Sequence, residues 1–240
     1  MEGTKALAMR TASASSGTKR VLARATTLAG LLSLPLILSA CLSGRYTYVS
    51  HTNSSGGDSY FRFPSSWTEF SQDQIVTASD SKITLTQLKQ IDATEWAYIL
   101  TANRGATLAN QKGLTSPMPF GISQQIELTA AQKSTFSLAA LRTVFLPDDP
   151  LAKTASLSGY KYKVLSYSQF SNAYGMKGLR LLVNVTAPNG LTSTLDEAAA
   201  VDKATQWVYF IGLGCTETCF SANGATIKQI VNSWSVKENK

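Results

Sequence analysis

The chain has 240 residues, 44% of them hydrophobic and 15% charged, with a formal net charge of +7. Residues 1–40 hold five Lys/Arg against one acid, so residues 41–240 keep 17 basic and 14 acidic side chains, a net of only +3. No basic stripe interleaved with aromatics remains, which excludes nucleic acid as a partner. The single histidine, His51, falls in a stretch with the composition of a tether, so no Ser-His-Asp triad, Cys-His dyad or His-ligated zinc site is expected in the folded domain.

The N-terminal stretch reads as a leader. Lys5, Arg10, Lys19, Arg20 and Arg24 form a basic segment opposed only by Glu2, and residues 25–40 carry no charge. Leu28, Leu31, Leu32, Leu34, Leu36, Ile37 and Leu38 supply the apolar bulk, interrupted by Pro35. That run is short of the ~20 apolar residues a spanning helix needs. The small residues Ser39 and Ala40 then precede Cys41. Leu38-Ser39-Ala40-Cys41 resembles the lipobox of bacterial lipoproteins. The resemblance implies cleavage between Ala40 and Cys41 and acylation of the Cys41 sulfur, triacylated in the mature chain. It also implies a chain held to the cell membrane, on the extracytoplasmic face, by its N-terminal lipid. Several acyl chains at ~0.8 kcal/mol per buried CH₂ make a durable anchor. Residues 18–22 are similar to a twin-arginine export signal without its first arginine, and Met9 is an alternative start.

Residues 1–40 are therefore expected as the signal peptide, 41–58 as the lipidated N-terminus and a flexible tether, and 59–240 as a single domain. The tether expectation rests on Ser43, Gly44, Ser50, Asn53, Ser54, Ser55, Gly56 and Gly57, a linker composition. His51 falls inside it and is assigned no role.

Within the domain, Tyr60–Pro64 predicts a short strand stopped by proline, with a turn at Ser65-Ser66-Trp67. Residues 71–92 are ambiguous. Trp96–Leu100 and Phe120–Leu128 read as strands, separated by a loop over 102–119. Thr129 and Gln132 form a capping-box pattern that predicts a helix running to Leu146, with Phe136, Leu138, Leu141 and Phe145 as its apolar positions. Tyr160, Tyr162, Val164, Ser166, Ser168 and Phe170 share one parity and predict a strand with a single inward face. Gly178–Ala187 carries the next strand, and Pro188-Asn189-Gly190 a turn. Residues 191–203 fit either a return strand or a short helix. Residues 205–213 are nearly continuously apolar and β-branched, which predicts a central strand covered on both faces. Ile227, Ile230, Val231 and Trp234 give a C-terminal amphipathic helix, after which the chain leaves through Val236.

The expected class is α+β, an antiparallel sheet with covering helices. Residues 61–67 (Phe-Arg-Phe-Pro-Ser-Ser-Trp) look like the opening of PsbP/Mog-type domains. The C-terminal Ile227-Lys-Gln-Ile230-Val-Asn-Ser233-Trp234-Ser-Val236 is similar to their ending and to that of actinobacterial LpqN-like lipoproteins. The resemblance implies an α/β/α sandwich around a central antiparallel sheet and roles in binding and assembly, and it carries over no catalytic residue.

Cys215 and Cys219 remain as a pair, and in an oxidising compartment a disulfide at the end of the central strand is expected. Redox chemistry is disfavoured because the spacing is not CxxC, and a metal site because two sulfurs without histidine leave the coordination incomplete. Asp148-Asp149 reads as a solvated turn or a weak cation site. Asp196, Glu197 and Asp202 are candidate paired carboxylates whose spacing in the fold is open. Gly212-x-Gly214 lacks the rest of a dinucleotide fingerprint. Trp67, Trp96, Trp207 and Trp234 read as core or sheet-face aromatics. The sequence assigns no catalytic, cofactor-binding or metal-binding residue. The expected function is a non-enzymatic binding or assembly module of the cell envelope, acting on an envelope protein or an apolar ligand. A carrier of a lipid or other small apolar molecule and an envelope hydrolase are the alternatives. A closed apolar pocket would favour the carrier, an aromatic-rich flat patch the adaptor, and two converging buried carboxylates the enzyme.

Overall fold

The computed structural model describes residues 46–80, 82–153 and 158–238. The leader, Ala40 and Cys41 lie outside the described residues. The described residues belong to one compact unit.

The domain begins earlier than the sequence predicted. Residues 46–58 are a hairpin, not a tether: β1 (Tyr46–Thr52) pairs antiparallel with β2 (Gly57–Pro64). Tyr46, Tyr48, Val49 and Thr52 suit a pleated strand, and the small polar run after them closes the turn. The Asn53 side-chain oxygen accepts from the Ser55 and Gly57 amides at 3.1 and 2.9 Å, and Gly56 takes φ 84°. Asn53 is buried and donates to the Tyr209 hydroxyl at 2.8 Å, which anchors the turn to the sheet. Gly57 is required there, because a Cβ would lie 2.0 Å from that hydroxyl.

Seven strands form the main sheet in the order β3-β4-β5-β9-β8-β7-β6, all antiparallel. They are β3 (Thr68–Phe70), β4 (Glu95–Thr101), β5 (Phe120–Glu127), β6 (Lys161–Ser171), β7 (Lys177–Thr186), β8 (Thr192–Val201) and β9 (Trp207–Thr216). Residues 191–203 thus contribute a strand. The apolar run after Thr205 lies at the centre of the sheet, buried on both faces. Gly212 and Gly214 lie inside β9, paired with β5 and β8, and make no phosphate-binding turn.

The two faces of the sheet carry separate cores. Ile211, Leu213 and Cys215 face α4 (Glu217–Ser233) together with Phe61, Phe63, Trp96 and Leu100. Val208 and Phe210 face the opposite way with Leu179, Leu181, Val183 and Leu195, covered by Leu141, Leu146 and their neighbours. A small sheet, β1-β2-β10, adds to the α4 side: β10 (Ser235–Glu238) pairs with β2 where the chain was expected to leave the domain.

Residues 71–92 resolve into α1 (Gln72–Ser79) and α2 (Leu85–Thr94), each opened by a capping box, Ser71/Gln74 and Thr84/Gln87. β3 is only three residues long, and the Gln72 side chain continues its pairing by accepting from the Ala97 amide at 2.7 Å. The expected helix over 129–146 is broken. α3 (Ala130–Thr135) starts with the Thr129/Gln132 box, Phe136 is extended, and a 3₁₀ turn runs over Leu138–Thr143. Ser134 and Thr135 turn their hydroxyls onto the Ala131 carbonyl, which competes with continued helix. β6 also departs from one parity, through a bulge between Val164 and Ser166. Tyr162 and Val164 pair with Val185 and Val183 on one face, while Ser168 and Phe170 pair with Arg180 and Gly178 on the other.

Candidate binding cleft

The bulge in β6 turns Phe170 onto the α4 side of the sheet, where the ring lies over Gly178. A Cβ at Gly178 would come within 2.5 Å of that ring. The next strand, β8, contributes Ala198 and Ala200 at this point of the face. These small side chains leave a depression between β6–β8 and the C-terminal end of α4, extended along β10. It is an open cleft of about 440 Å³, within the size range of small-ligand sites. Met176, Val231, Trp234 and Val236 give it apolar walls, and Asn172, Arg180, Asn232 and Lys237 stand among them.

The polar groups are specifically engaged. The Arg180 guanidinium forms a bidentate pair with Asp196 at 2.6 and 2.8 Å and donates to the Asn232 side-chain oxygen at 2.9 Å. Asp196 is buried, so this pair joins the sheet floor to α4. The Asn172 side-chain oxygen accepts from the Tyr174 and Met176 amides, and its nitrogen donates to the Val236 carbonyl. The Trp234 indole N–H is buried without a hydrogen-bond partner among the described residues.

The candidate carboxylates do not converge. Asp196 and Glu197 are consecutive in β8, so their side chains leave opposite faces. Glu197 is 0% exposed, and neither of its oxygens has a hydrogen-bond partner among the described residues. Burial, with the neighbouring Asp196 charge adding to it, pushes its carboxyl up to about 9, so it is a neutral acid at pH 7. Asp202 belongs to the β8–β9 turn, where it accepts from the Gln206 amide at 2.6 Å. Asp149 is gripped by Arg142 at 2.5 and 2.7 Å, which holds its carboxyl below the usual range. Asp148 accepts from the Ser158 hydroxyl and from Tyr162 at 3.3 Å. Among the described residues no group of His, Cys, Asp and Glu is arranged to hold a metal ion.

Cys215 and Cys219 form a disulfide with Cα atoms 5.8 Å apart, closing the end of β9 onto the first turn of α4. Thr216 caps that helix from inside the loop. His51 stacks on Trp96 with ring centroids 4.6 Å apart, and burial holds its imidazole below the ordinary histidine value against the raising influence of Asp58. Trp67, Trp96 and Trp207 pack in or against the cores, and of the four indoles only Trp234 lines the cleft. Sequence reasoning missed the cleft. Its residues come from five elements, and the one local signal is the small-residue run at Ala198-Ala199-Ala200 opposite Gly178.

No family model matches the chain, and no curated protein matches it. Among solved structures it is similar to LpqN of Mycobacterium tuberculosis, described as involved in cell envelope biogenesis. That match has 11% identity and a TM-score of 0.41, covering 80% of this chain and 91% of that one. It is also similar to the Saccharomyces cerevisiae Ran-binding protein Mog1p, at 11% identity and a TM-score of 0.41, covering 82% and 97%. Cyanobacterial PsbP from Synechocystis matches at 11% identity and a TM-score of 0.34, covering 83% and 99%. These are the LpqN-like and PsbP/Mog-type proteins that the two terminal motifs resemble.

Proposed function

We propose that the chain is an exported protein, anchored through acylated Cys41 at the extracytoplasmic face of the cell membrane, that works by binding and not by catalysis. The basic segment, the uncharged run and the small residues before Cys41 support the export and the anchor. The disulfide fits an oxidising compartment. β1 begins at Tyr46. At ~3.3–3.6 Å per residue, five residues reach at most about 18 Å from Cys41 to the start of β1. The domain is thus held close to the bilayer instead of standing off on a long spacer.

The observation that carries the binding reading is the cleft between α4, β10 and β6–β8. It is concave, walled by apolar side chains, and lined by no histidine, cysteine or carboxylate among the described residues. The candidate acids are separated by the sheet, which leaves the hydrolase reading without a general acid–base pair. The cleft is neither the closed pocket expected of a carrier nor the flat patch expected of an adaptor, and its concavity and size support reading it as a small-ligand site.

Two measurements test the reading. Replacing Cys41 by Ala is expected to move the protein from the membrane fraction to the soluble or unprocessed pool; unchanged, detergent-dependent fractionation would overturn the anchor. The protein purified from membranes is expected to carry a stoichiometric small molecule in native mass spectra. Filling the cleft with Ala200→Phe should abolish that adduct, and its persistence in the folded variant would overturn the site.

A further inference from the structure

The small sheet has two unlike faces. Val49, Phe61 and Phe63 point into the core against α4. On the outward face, Tyr46, Tyr48 and Ser50 of β1 stand across from Pro64, Arg62 and Tyr60 of β2. Tyr48 is 60% exposed and stacks on Tyr60 with ring centroids 6.1 Å apart. The Arg62 guanidinium lies over the Tyr46 ring, 5.0 Å from its centroid. It forms no ion pair among the described residues. Three tyrosines and one arginine thus share a surface outside the core.

Polarity changes along this face. Asp58, its one acid among the described residues, lies at the other end of β2, opposite Thr52 on β1 and Lys237 on β10. At ~3.3 Å per residue, that end is about 20 Å along β1 from Tyr46. In sequence, Arg45 immediately precedes Tyr46. The end nearest Cys41 therefore gathers the tyrosines and two arginines, and the far end carries the acid.

Tyrosine joins an apolar ring to a polar tip, which suits the headgroup layer of a bilayer. Arginine adds attraction to anionic headgroups while its stem lies along apolar surface. The five residues from Cys41 to Tyr46 span at most about 18 Å, so an acylated Cys41 keeps this end of the face within reach of the headgroups.

We infer that the Cys41-proximal end of this face docks on the membrane. Tyr46, Tyr48 and Tyr60 lie in the headgroup layer of the bilayer that holds the Cys41 lipid, and Arg62 meets its anionic headgroups. Docking fixes the orientation of the domain, which a lipid tether alone leaves free to rotate. It rests on the anchor at Cys41 and is independent of the cleft.

The test uses the full membrane-extracted protein in vesicles of phosphatidylethanolamine and phosphatidylglycerol. A nitroxide is placed on Ser50→Cys, across from Tyr60, or on Leu191→Cys in the β7–β8 turn, both exposed positions. Leu191 is the reference because its turn adjoins the start of α4, while Ser233 at the other end of that helix bonds to the Arg62 amide. The helix separates them by about 24 Å. Intact mass first reports the acyl groups; their absence would overturn the anchor and the docking with it. In the acylated protein, the label at position 50 is expected to be about threefold less accessible to a water-soluble nickel chelate than the label at position 191. Tyr48→Asp, at an exposed position that leaves folding intact, is expected to remove that difference. Equal access without that substitution, or a difference that Tyr48→Asp leaves in place, would overturn the docking face while the anchor stands. β1 is also the edge strand of its sheet, open to pairing with a second copy. Shelter at position 50 that disappears when the protein is diluted in the bilayer would assign the face to that copy and overturn membrane docking.

Discussion

Asp196 and Glu197 are neighbours in β8, yet one is tied to Arg180 under α4 and the other is buried without a partner on the opposite face. A strand directs successive side chains to opposite sides of its sheet. The two acids that looked like a catalytic pair are therefore a structural ion pair and an isolated neutral acid.

Glu197 makes the fold sensitive to alkaline pH. Its folded-state value, near 9, lies above its ordinary 4.5, so the folded state holds a proton that the unfolded chain releases first. Below about pH 4.5 the acid is protonated in both states and adds no pH dependence, and from there the cost of keeping it protonated grows as pH rises toward 9. Chemical denaturation is expected to show stability falling by roughly 4 kcal/mol between pH 5 and pH 8, with Glu197→Leu flattening that slope. A wild-type profile without the slope would contradict the buried neutral acid.

Arg180 and Asp196 are expected to couple strongly. Arg180→Met leaves a buried carboxylate without its partner, a loss of about 3–5 kcal/mol. The double variant with Asp196→Leu should recover most of it, because replacing both members of a buried pair by apolar groups is often nearly neutral. Additive losses in denaturation midpoints would mean the pair is not a unit.

The turn between β1 and β2 is locked by Tyr209. Gly57→Ala drives a methyl group onto the Tyr209 hydroxyl, with an expected loss of about 2 kcal/mol. Tyr209→Phe removes the hydroxyl and should reduce the additional effect of Gly57→Ala. Thermal melts of the four proteins in that cycle measure the relief. If Gly57→Ala is harmless in both backgrounds, residues 46–58 are not packed as described.

The Cys215–Cys219 bridge closes a short loop and is expected to contribute about 2 kcal/mol by loop-closure entropy. Intact mass should rise by two cysteine alkylations only after reduction. Ready alkylation of the native protein would show free thiols.

The strands that could be read from sequence were those whose burial pattern is local. The continuous apolar run in β9 and the alternation in β7 announced themselves, and the stripe Ile227, Ile230, Val231 located α4. What was missed depended on partners distant in the chain. Asn53-Ser-Ser-Gly-Gly has the composition of a linker, and only Tyr209, 156 positions away, reveals it as a fixed turn. β10 exists because β2 is there to pair with it. The bulge at Leu165 has no mark in an otherwise regular alternation, and it is what turns Phe170 toward the cleft. The site was illegible for the same reason: Ala198 and Ala200 become a floor only when Trp234 and Val236 are brought over from the C-terminal end.

The most direct measurement is photocrosslinking in intact cells, with a photoreactive amino acid placed at Phe170 in the cleft or at Leu191 in the β7–β8 turn. Both positions are similarly exposed, at 39% and 38%. The account predicts a discrete small-molecule adduct from position 170 and none from position 191. Equal labelling at both, or labelling from position 191 alone, would contradict the claim that this protein works through the cleft beside α4.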